Sequence, residues 1–188
     1  MIIVITQPYF FQGEAERIVQ LLSGGAADIV HIRKPLLDKT DSLARIERLV
    51  KLQRLIETLP SELYGRLVLH DCHQLAIKYG LRGVHLNSRN PLPPDDFEGA
   101  VSISCHSLAE LAVARKKPYA YMSLSPIFDS ISKPDYHSAF TAQQIAEARQ
   151  QGLIDHRVMA LGGVTFNQVN DVMKMGFGGA MILGDAWK

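Results

Sequence analysis

Short apolar runs rich in valine and isoleucine alternate along this chain with longer segments that mix polar and apolar residues. Runs of this length are typical of parallel strands that are buried on both faces, and the mixed segments are typical of the helices that cover them. The pattern therefore predicts a repeated strand and helix unit. The eight predicted strands are residues 2–5, 29–32, 67–69, 83–86, 101–104, 120–123, 158–161 and 180–183.

The segments between these runs predict six helices, several of which begin after a good capping residue such as Asp41, Ser107 or Thr165. The predicted helices are residues 14–22, 42–59, 72–79, 108–116, 142–150 and 166–175. Three prolines in residues 87–97 allow at most a short helix there, with Asp95 and Asp96 near its start. Residues 184–188 are too few for a covering helix after the last strand.

Eight strands with alternating crossovers predict a compact α/β fold, the (β/α)₈ TIM barrel, with the last helix missing or very short. We expect residues 1–188 to form a single TIM-barrel domain, and a flavodoxin-like sheet is the alternative. Either fold places its chemistry at the carboxyl ends of the strands. The missing last helix would leave the outer ring open, and a homodimer would cover that gap.

The charge and the cysteines exclude several classes of function. A formal net charge of +1, with scattered lysines and arginines, gives no basis for nucleic-acid binding. The apolar N-terminal run is too short for a signal peptide or a membrane span, so we expect a cytoplasmic protein with no membrane partner. Cys72 and Cys105 are expected to be free thiols.

A hydroxyl-rich loop, residues 123–133, follows the sixth predicted strand. Its serines Ser125, Ser130 and Ser132, its backbone amides and Lys133 are the donors and the cation that a phosphate group needs. An ordinary polar loop is the alternative. Gly162 and Gly163 follow the seventh strand and Gly184 follows the eighth, where barrels often bind phosphate through backbone amides, although tight turns are the simpler explanation.

Six sequence blocks together resemble the thiamine-phosphate synthase superfamily, including its thiazole tautomerase (TenI-like) branch. They are His-Ile-Arg-Lys at 31–34, His-Asp at 70–71, Gly-Val-His-Leu at 83–86, Ser-Ile-Ser-Cys-His-Ser at 102–107, Ser-Pro-Ile-Phe-Asp-Ser-Ile-Ser-Lys at 125–133 and Ala-Leu-Gly-Gly-Val at 160–164. The resemblance implies a barrel that joins a pyrimidine diphosphate to a thiazole phosphate and releases diphosphate, with Mg²⁺ neutralising the leaving group.

The resemblance also implies roles for individual residues. Arg33, Lys133 and Ser104 match the diphosphate-binding residues, and Ser130 and Ser132 stand where the family usually has threonines. Gly163 matches the glycine that contacts the thiazole phosphate, and Asp71 matches one magnesium-binding aspartate.

Three departures from the family pattern weaken the cation and metal sites. A lysine of the pattern is Pro35 here, so neighbouring Lys34 is expected to take over part of its role. The asparagine before the first metal-binding aspartate is His70, and the second metal-binding aspartate is Asn90. One lost anionic ligand should lower the affinity for Mg²⁺.

These departures leave three hypotheses. The preferred one is a thiamine-phosphate synthase-like transferase. The second is a metal-independent tautomerase that moves a proton through His31, His70 or His106, all expected at the barrel mouth, although Pro126 matches the synthase. The third is a barrel that binds a phosphorylated ligand without turnover. A zinc hydrolase built from His31, His70 and Asp71 is disfavoured because no zinc-ligand spacing is present, and His85 is expected in the core.

Overall fold

The computed structural model describes residues 1–36, 40–129 and 138–188. Its eight strands pair in parallel and close into a barrel in chain order, which confirms the predicted fold. The strands are β1 Ile2–Ile5, β2 Ile29–Ile32, β3 Leu67–Leu69, β4 Gly83–Leu86, β5 Ala100–Cys105, β6 Tyr121–Leu124, β7 Val158–Leu161 and β8 Gly179–Ile182. Five have the predicted bounds, β5 is one residue longer at each end, and β6 and β8 are displaced by one residue.

Six α-helices alternate with the strands in the described residues. They are α1 Glu14–Ser23, α2 Ser42–Thr58, α3 Gln74–Tyr79, α4 Leu108–Ala114, α5 Ala142–Gln150 and α6 Val169–Lys174. The Asp41 carboxylate accepts a hydrogen bond from the amide of Ala44, and the Ser107 hydroxyl accepts one from the amide of Glu110, so these two of the three predicted caps are confirmed. The predicted last long helix begins instead as a 3-10 helix, Phe166–Gln168.

The chain divides into two compact units, and the first contains Met1–Val4 and Ala100–Lys188. Within it β8 lies between β7 and β1, with Ala180 opposite both Ala160 and Ile2. The amide of Ala180 donates to the Met1 carbonyl. Its core includes Met122 and Val158, which have no exposed surface. Burying a side chain of this size contributes about 1.5–3 kcal/mol, so the paired strands supply much of this unit's stability.

The second unit is Ile5–Gly99. Its strands β2, β3 and β4 are neighbours, with Ile32 opposite Leu69 and Leu69 opposite Val84. The amphipathic helix α1 buries Ile18, and α2 buries Ile56, both without exposed surface. This packing fixes the carboxyl ends of β2, β3 and β4 side by side, which is where the polar residues of this unit follow the strands.

Among the described residues, the connections after β4 and after β8 are irregular, as the sequence predicts. The described residues 87–99 contain no helix, so Asp95 and Asp96 begin none, and Asp96 has a positive φ of 57°. After β8 the chain forms only a short 3-10 helix, Gly184–Trp187, as predicted. No helix in the described residues is long and apolar enough to cross a membrane. The single domain and the homodimer stay predictions.

Candidate active site

Two arginines lie close to one aspartate in the second unit, and a third, Arg33, interacts electrostatically with that aspartate. Arg33 follows β2, Asp71 lies two residues after β3, Arg89 comes from the loop after β4 and Arg48 comes from α2. The Nε of Arg89 lies 3.8 Å from Asp71 Oδ1, and Nη1 of Arg48 lies 4.0 Å from the same oxygen. We call Arg33, Arg48, Arg89 and Asp71 the arginine cluster.

A tight turn after β4 positions one side of this cluster. The amides of Asn87 and Asn90 donate to each other's carbonyls at 3.1 and 3.0 Å. The Asn87 side-chain oxygen also accepts from the amide of Arg89 at 3.0 Å. As a result the side-chain nitrogen of Asn90 donates to the His70 carbonyl at 3.1 Å and to Asp71 Oδ1 at 2.9 Å. The turn therefore holds Arg89 beside Asp71.

Hydrogen bonds fix the backbone of Arg33 and the side chain of Arg48. The amide of Arg33 donates to the Thr6 hydroxyl at 3.0 Å. The Arg48 guanidinium donates to the Lys34 carbonyl at 2.9 Å and makes a long contact, 3.5 Å, with Cys72 Sγ. The Arg48 contacts hold its guanidinium near the end of β3, where it lies 4.0 Å from Asp71 Oδ1, before any ligand is bound.

The arginine cluster carries an excess of two positive charges. Burial lowers the pKa of Arg33, nearby Arg89 lowers it further, and Asp71 opposes the shift. A guanidinium still remains protonated at neutral pH. Among the described residues, Arg48 Nε and Arg89 Nε are buried without a hydrogen-bond partner, and so is Asp71 Oδ2. Half-buried cations with unused donors are suited to bind an anion such as a diphosphate.

The same donor set does not fit a magnesium ion held by protein carboxylates. Mg²⁺ requires near-octahedral oxygen ligands. Here Asp71 offers one unpartnered oxygen, because its other oxygen accepts from Asn90, and two guanidinium groups lie within 4.0 Å of that second oxygen. Asn90 uses its amide nitrogen at the position where the resemblance implies the second aspartate. The predicted magnesium site is thus reduced to a single ligand atom.

Lys34, which was expected to bind substrate, lies in the interior. Its ammonium donates to the carbonyls of Gln7 at 2.8 Å and Tyr9 at 2.7 Å, and it forms an ion pair with Glu14. The Lys34 and Glu14 side chains are 1% and 2% exposed. A lysine that has three acceptors and almost no accessible surface cannot reach a ligand without breaking a buried ion pair. The structure therefore gives no support to the prediction that Lys34 binds substrate.

Three histidines form a buried cluster beside the arginines. His31, inside β2, and His85, inside β4, have no exposed surface, and His70, directly after β3, is 4% exposed. His31 Nδ1 and His70 Nε2 share a hydrogen bond of 2.9 Å, and the His70 and His85 ring centroids are 4.4 Å apart. His31 therefore lies within a strand of the barrel wall, whereas the sequence predicts it at the barrel mouth.

Burial lowers the pKa of both His31 and His70 well below the usual range, and His85 adds to both shifts. Both rings are consequently neutral at pH 7. Within the described part of the chain, His31, His70 and His85 are the one group whose nitrogen atoms, all within 4.8 Å of one another, are spaced for a metal ion. The existing hydrogen bond and the positive charges of Arg33 and Arg89 near His70 oppose a cation there.

Sequence reasoning missed His85, Arg48 and Arg89 as site residues. His85 would have been found once β3 and β4 were placed in register, because Leu69 pairs with Val84 and one further step places His70 beside His85. Arg89 could have been found by its position after β4. Arg48 lies on a helix with no motif around it, so its role could not be read from the sequence.

The remaining described site residues lie in the first unit. Ser104 is half-buried in β5. The Ser125 hydroxyl lies 3.1 Å from His106 Nδ1, with Ser125 buried and His106 exposed. Gly184 begins the last 3-10 helix. The other predicted residues of the hydroxyl-rich loop, Ser130, Ser132 and Lys133, lie outside the described residues. Both cysteines are free, as predicted.

Gly162 and Gly163 both have positive φ, 95° and 66°, which favours glycine. A Cβ on Gly163 would lie 2.2 Å from the Asp129 carbonyl oxygen, and one on Gly162 would lie 2.7 Å from Pro126 Cα. Gly163 also lines a pocket of about 640 Å³ formed with residues of α5 and of the loop after β6. The glycine pair is therefore required for the close approach of two loops.

Comparison with known proteins decides the family. A family model described as thiamine monophosphate synthase matches residues 2–184. The chain belongs to this family. The curated thiamine-phosphate synthase of Serratia proteamaculans is 29% identical over 174 residues, which cover 79% of this chain and 80% of that protein.

Solved structures agree with this assignment. The crystal structure of thiamine phosphate pyrophosphorylase from Bacteroides thetaiotaomicron has a TM-score of 0.81 and 37% identity, and covers 99% of this chain and 84% of that chain. Thiamine phosphate pyrophosphorylase from Pyrococcus furiosus, with a TM-score of 0.68 and 19% identity over 98% of this chain and 89% of that chain, shows the fold alone. The predicted superfamily and the prediction of a synthase-type transferase of thiamine biosynthesis are confirmed.

Proposed function

We propose that this chain joins a hydroxymethylpyrimidine diphosphate to a thiazole phosphate and releases diphosphate. The observation that carries this proposal is the arginine cluster, in which Arg48 and Arg89 lie within 4.0 Å of the Asp71 carboxylate and Arg33 interacts electrostatically with Arg89 and Asp71. The Asp71 carboxylate neutralises only one of these charges and keeps the cations close together in the absence of ligand. A diphosphate offers several oxygens that can accept from the unused guanidinium donors.

The reaction needs stabilisation of a leaving group. The bond between the pyrimidine methylene carbon and the diphosphate oxygen breaks, its electron pair stays on that oxygen, and the thiazole forms the new bond to the carbon. Negative charge therefore grows on the diphosphate as the bond breaks. Fixed cations that bind this charge more strongly in the transition state than in the substrate accelerate the step. Arg33, Arg48 and Arg89 are the described side chains that meet this requirement.

The other site residues have separate roles in this proposal. Gly163 and Gly184 contact the thiazole phosphate through their backbone amides. Ser104, Ser125 and the loop that ends at Lys133 contribute further donors to the substrate phosphates. Among the histidines, the buried His31 and His70 shape the site as neutral hydrogen-bonded rings. A homodimer and a cytoplasmic location stay predictions.

In this proposal Mg²⁺ would be bound mainly by the diphosphate of the substrate. The resemblance implies Mg²⁺, which would neutralise diphosphate charge when it is bound. The single unpartnered oxygen of Asp71 is the protein atom that remains for such an ion among the described residues of the cluster. No step of the proposed reaction depends on it, because the guanidinium groups already supply the positive charge.

The test is product formation by the purified chain with both substrates, followed by chromatography of thiamine phosphate and by release of diphosphate. We expect both products in equal amounts, and about a 10²- to 10³-fold lower kcat/KM for Arg33→Gln, the usual effect of removing one preorganised donor. Arg54→Gln, which removes an exposed arginine on α2, is the matched control.

Aromatisation of the thiazole carboxylate phosphate is measured in parallel, because it identifies the tautomerase alternative. Thiamine phosphate formation that depends on Arg33 supports the proposal. If the chain accelerates only the aromatisation, or neither reaction while an active control enzyme works, the proposal is wrong.

A further inference from the structure

The arginine cluster stands where the resemblance implies a metal site. The loop after β4 has Asn90 in place of an expected aspartate, so one negative charge is absent, and the residue before it, Arg89, adds a positive charge. Both differences make this site more positive, as a bound metal cation would. Arg48 adds a second guanidinium from α2.

The geometry shows that these guanidinium groups are not consumed by Asp71. Asp71 Oδ1 accepts its hydrogen bond from Asn90 at 2.9 Å, while Arg89 and Arg48 lie at 3.8 and 4.0 Å, beyond hydrogen-bond distance. The Asp71 side chain is only 7% exposed, and its Oδ2 has no partner in the described part of the chain. The buried Nε atoms of both arginines are likewise without a partner there.

We propose that Arg48 and Arg89 bind the diphosphate in place of a protein-held magnesium ion, so that diphosphate binding does not require a metal. This inference rests on the proposed function for the identity of the ligand. Two guanidinium groups supply the same formal charge as one Mg²⁺, and their donors are already held in position by the Asn87 turn and by the Lys34 carbonyl. Asp71 then acts as a positioning residue for the two arginines.

The test is calorimetric titration of the purified chain with inorganic diphosphate, in excess EDTA and again in millimolar Mg²⁺. We expect binding in EDTA, with an affinity that changes less than about threefold, or about 0.7 kcal/mol, when Mg²⁺ is added, because the two guanidinium groups already supply the charge of the metal ion. Arg89→Gln and Arg48→Gln should each weaken binding in EDTA by about 10- to 100-fold, the range for a charged hydrogen bond. Arg54→Gln is the control and should bind as the unchanged chain does.

A gain-of-function variant provides a second readout. Asn90→Asp restores the second carboxylate and adds a negative charge beside Arg89. It should weaken diphosphate binding in EDTA and recover affinity when Mg²⁺ is added, which would make binding metal-dependent. Circular dichroism spectra establish that each variant is folded before it is titrated.

The outcomes separate this inference from the proposed function. Binding in EDTA that is lost in Arg89→Gln supports the inference, whatever the product assay shows. Binding only with Mg²⁺, or unchanged binding in both arginine variants, overturns it. In that case formation of thiamine phosphate would still support the proposed function. Failure of the product assay together with metal-free diphosphate binding would overturn the proposed function alone.

Discussion

Replacing Lys34 by methionine leaves the Glu14 carboxylate in the interior without its cation. The Lys34 ammonium donates to Glu14 and to the carbonyls of Gln7 and Tyr9, and methionine keeps most of the length of the side chain but none of these bonds. Burial raises the pKa of Glu14 and lowers the pKa of Lys34, while the hydrogen bond between them opposes both shifts. Burial therefore disfavours the charged form of each residue, and each charge is stabilised in the interior only by the other.

The size of the effect follows from what Glu14 does without Lys34. A buried carboxylate that has lost its cation takes up a proton. Protonation costs about 1.36 kcal/mol for each pH unit above the unperturbed pKa, which is near 4.3, so the cost at pH 7 is about 3.7 kcal/mol. Two carbonyls also lose a donor. The free energy of unfolding should therefore fall by about 4 kcal/mol, within the range for breaking a buried pair and large against a typical total of about 5–15 kcal/mol.

Urea denaturation followed by circular dichroism measures this change at pH 7 and again near pH 5. The loss should shrink at the lower pH, because Glu14 then protonates at less cost. Lys34→Met combined with Glu14→Leu should recover much of the stability, since it removes both charges. If Lys34→Met is as stable as the unchanged chain at both pH values, the interpretation of a buried ion pair is wrong. If it also lowers diphosphate affinity, Lys34 contacts the ligand.

Two further predictions concern the histidine cluster and the glycine pair. Because the folded pKa of His31 and of His70 is lowered, only the unfolded chain binds these protons as the pH falls below about 6.5. The free energy of unfolding should then fall by up to about 1.4 kcal/mol per pH unit for each histidine until the folded pKa is reached, and urea titrations at pH 7, 6 and 5 that show constant stability would contradict this. Gly163→Ala should lower the melting temperature and abolish thiazole phosphate binding, because its Cβ would lie 2.2 Å from the Asp129 carbonyl oxygen. Gly65→Ala, where a Cβ meets nothing within 4 Å, is the control, and equal melting temperatures for the two variants would refute the steric argument.

The strands were largely predictable because each is a short apolar run between polar segments. The bounds of β2, β3 and β4 were predicted correctly for this reason. The β8 strand begins one residue earlier than predicted, at Gly179, because Gly179 pairs with Met159 of β7 and that register does not depend on side-chain hydrophobicity. The α3 helix begins two residues later than predicted, after Cys72, whose φ is positive at 54°.

Only those site residues that come shortly after a strand could be predicted from the sequence. Arg33 and Asp71 come after β2 and β3, so the topology brings them together with the carboxyl ends of the strands. The sequence could not show that Lys34 turns into the interior, because its partner Glu14 lies on a separate helix. Arg48 also reaches the site from a helix, through a contact that only the packed structure defines.

A crystal structure of the chain with hydroxymethylpyrimidine diphosphate and Mg²⁺ would test the central claim most directly. The claim is that the arginine cluster binds the diphosphate of the substrate. We expect the diphosphate oxygens within hydrogen-bond distance of the guanidinium groups of Arg33, Arg48 and Arg89. A diphosphate bound away from these groups, or held through a metal ion on Asp71 with Arg48 and Arg89 turned away, would contradict the account.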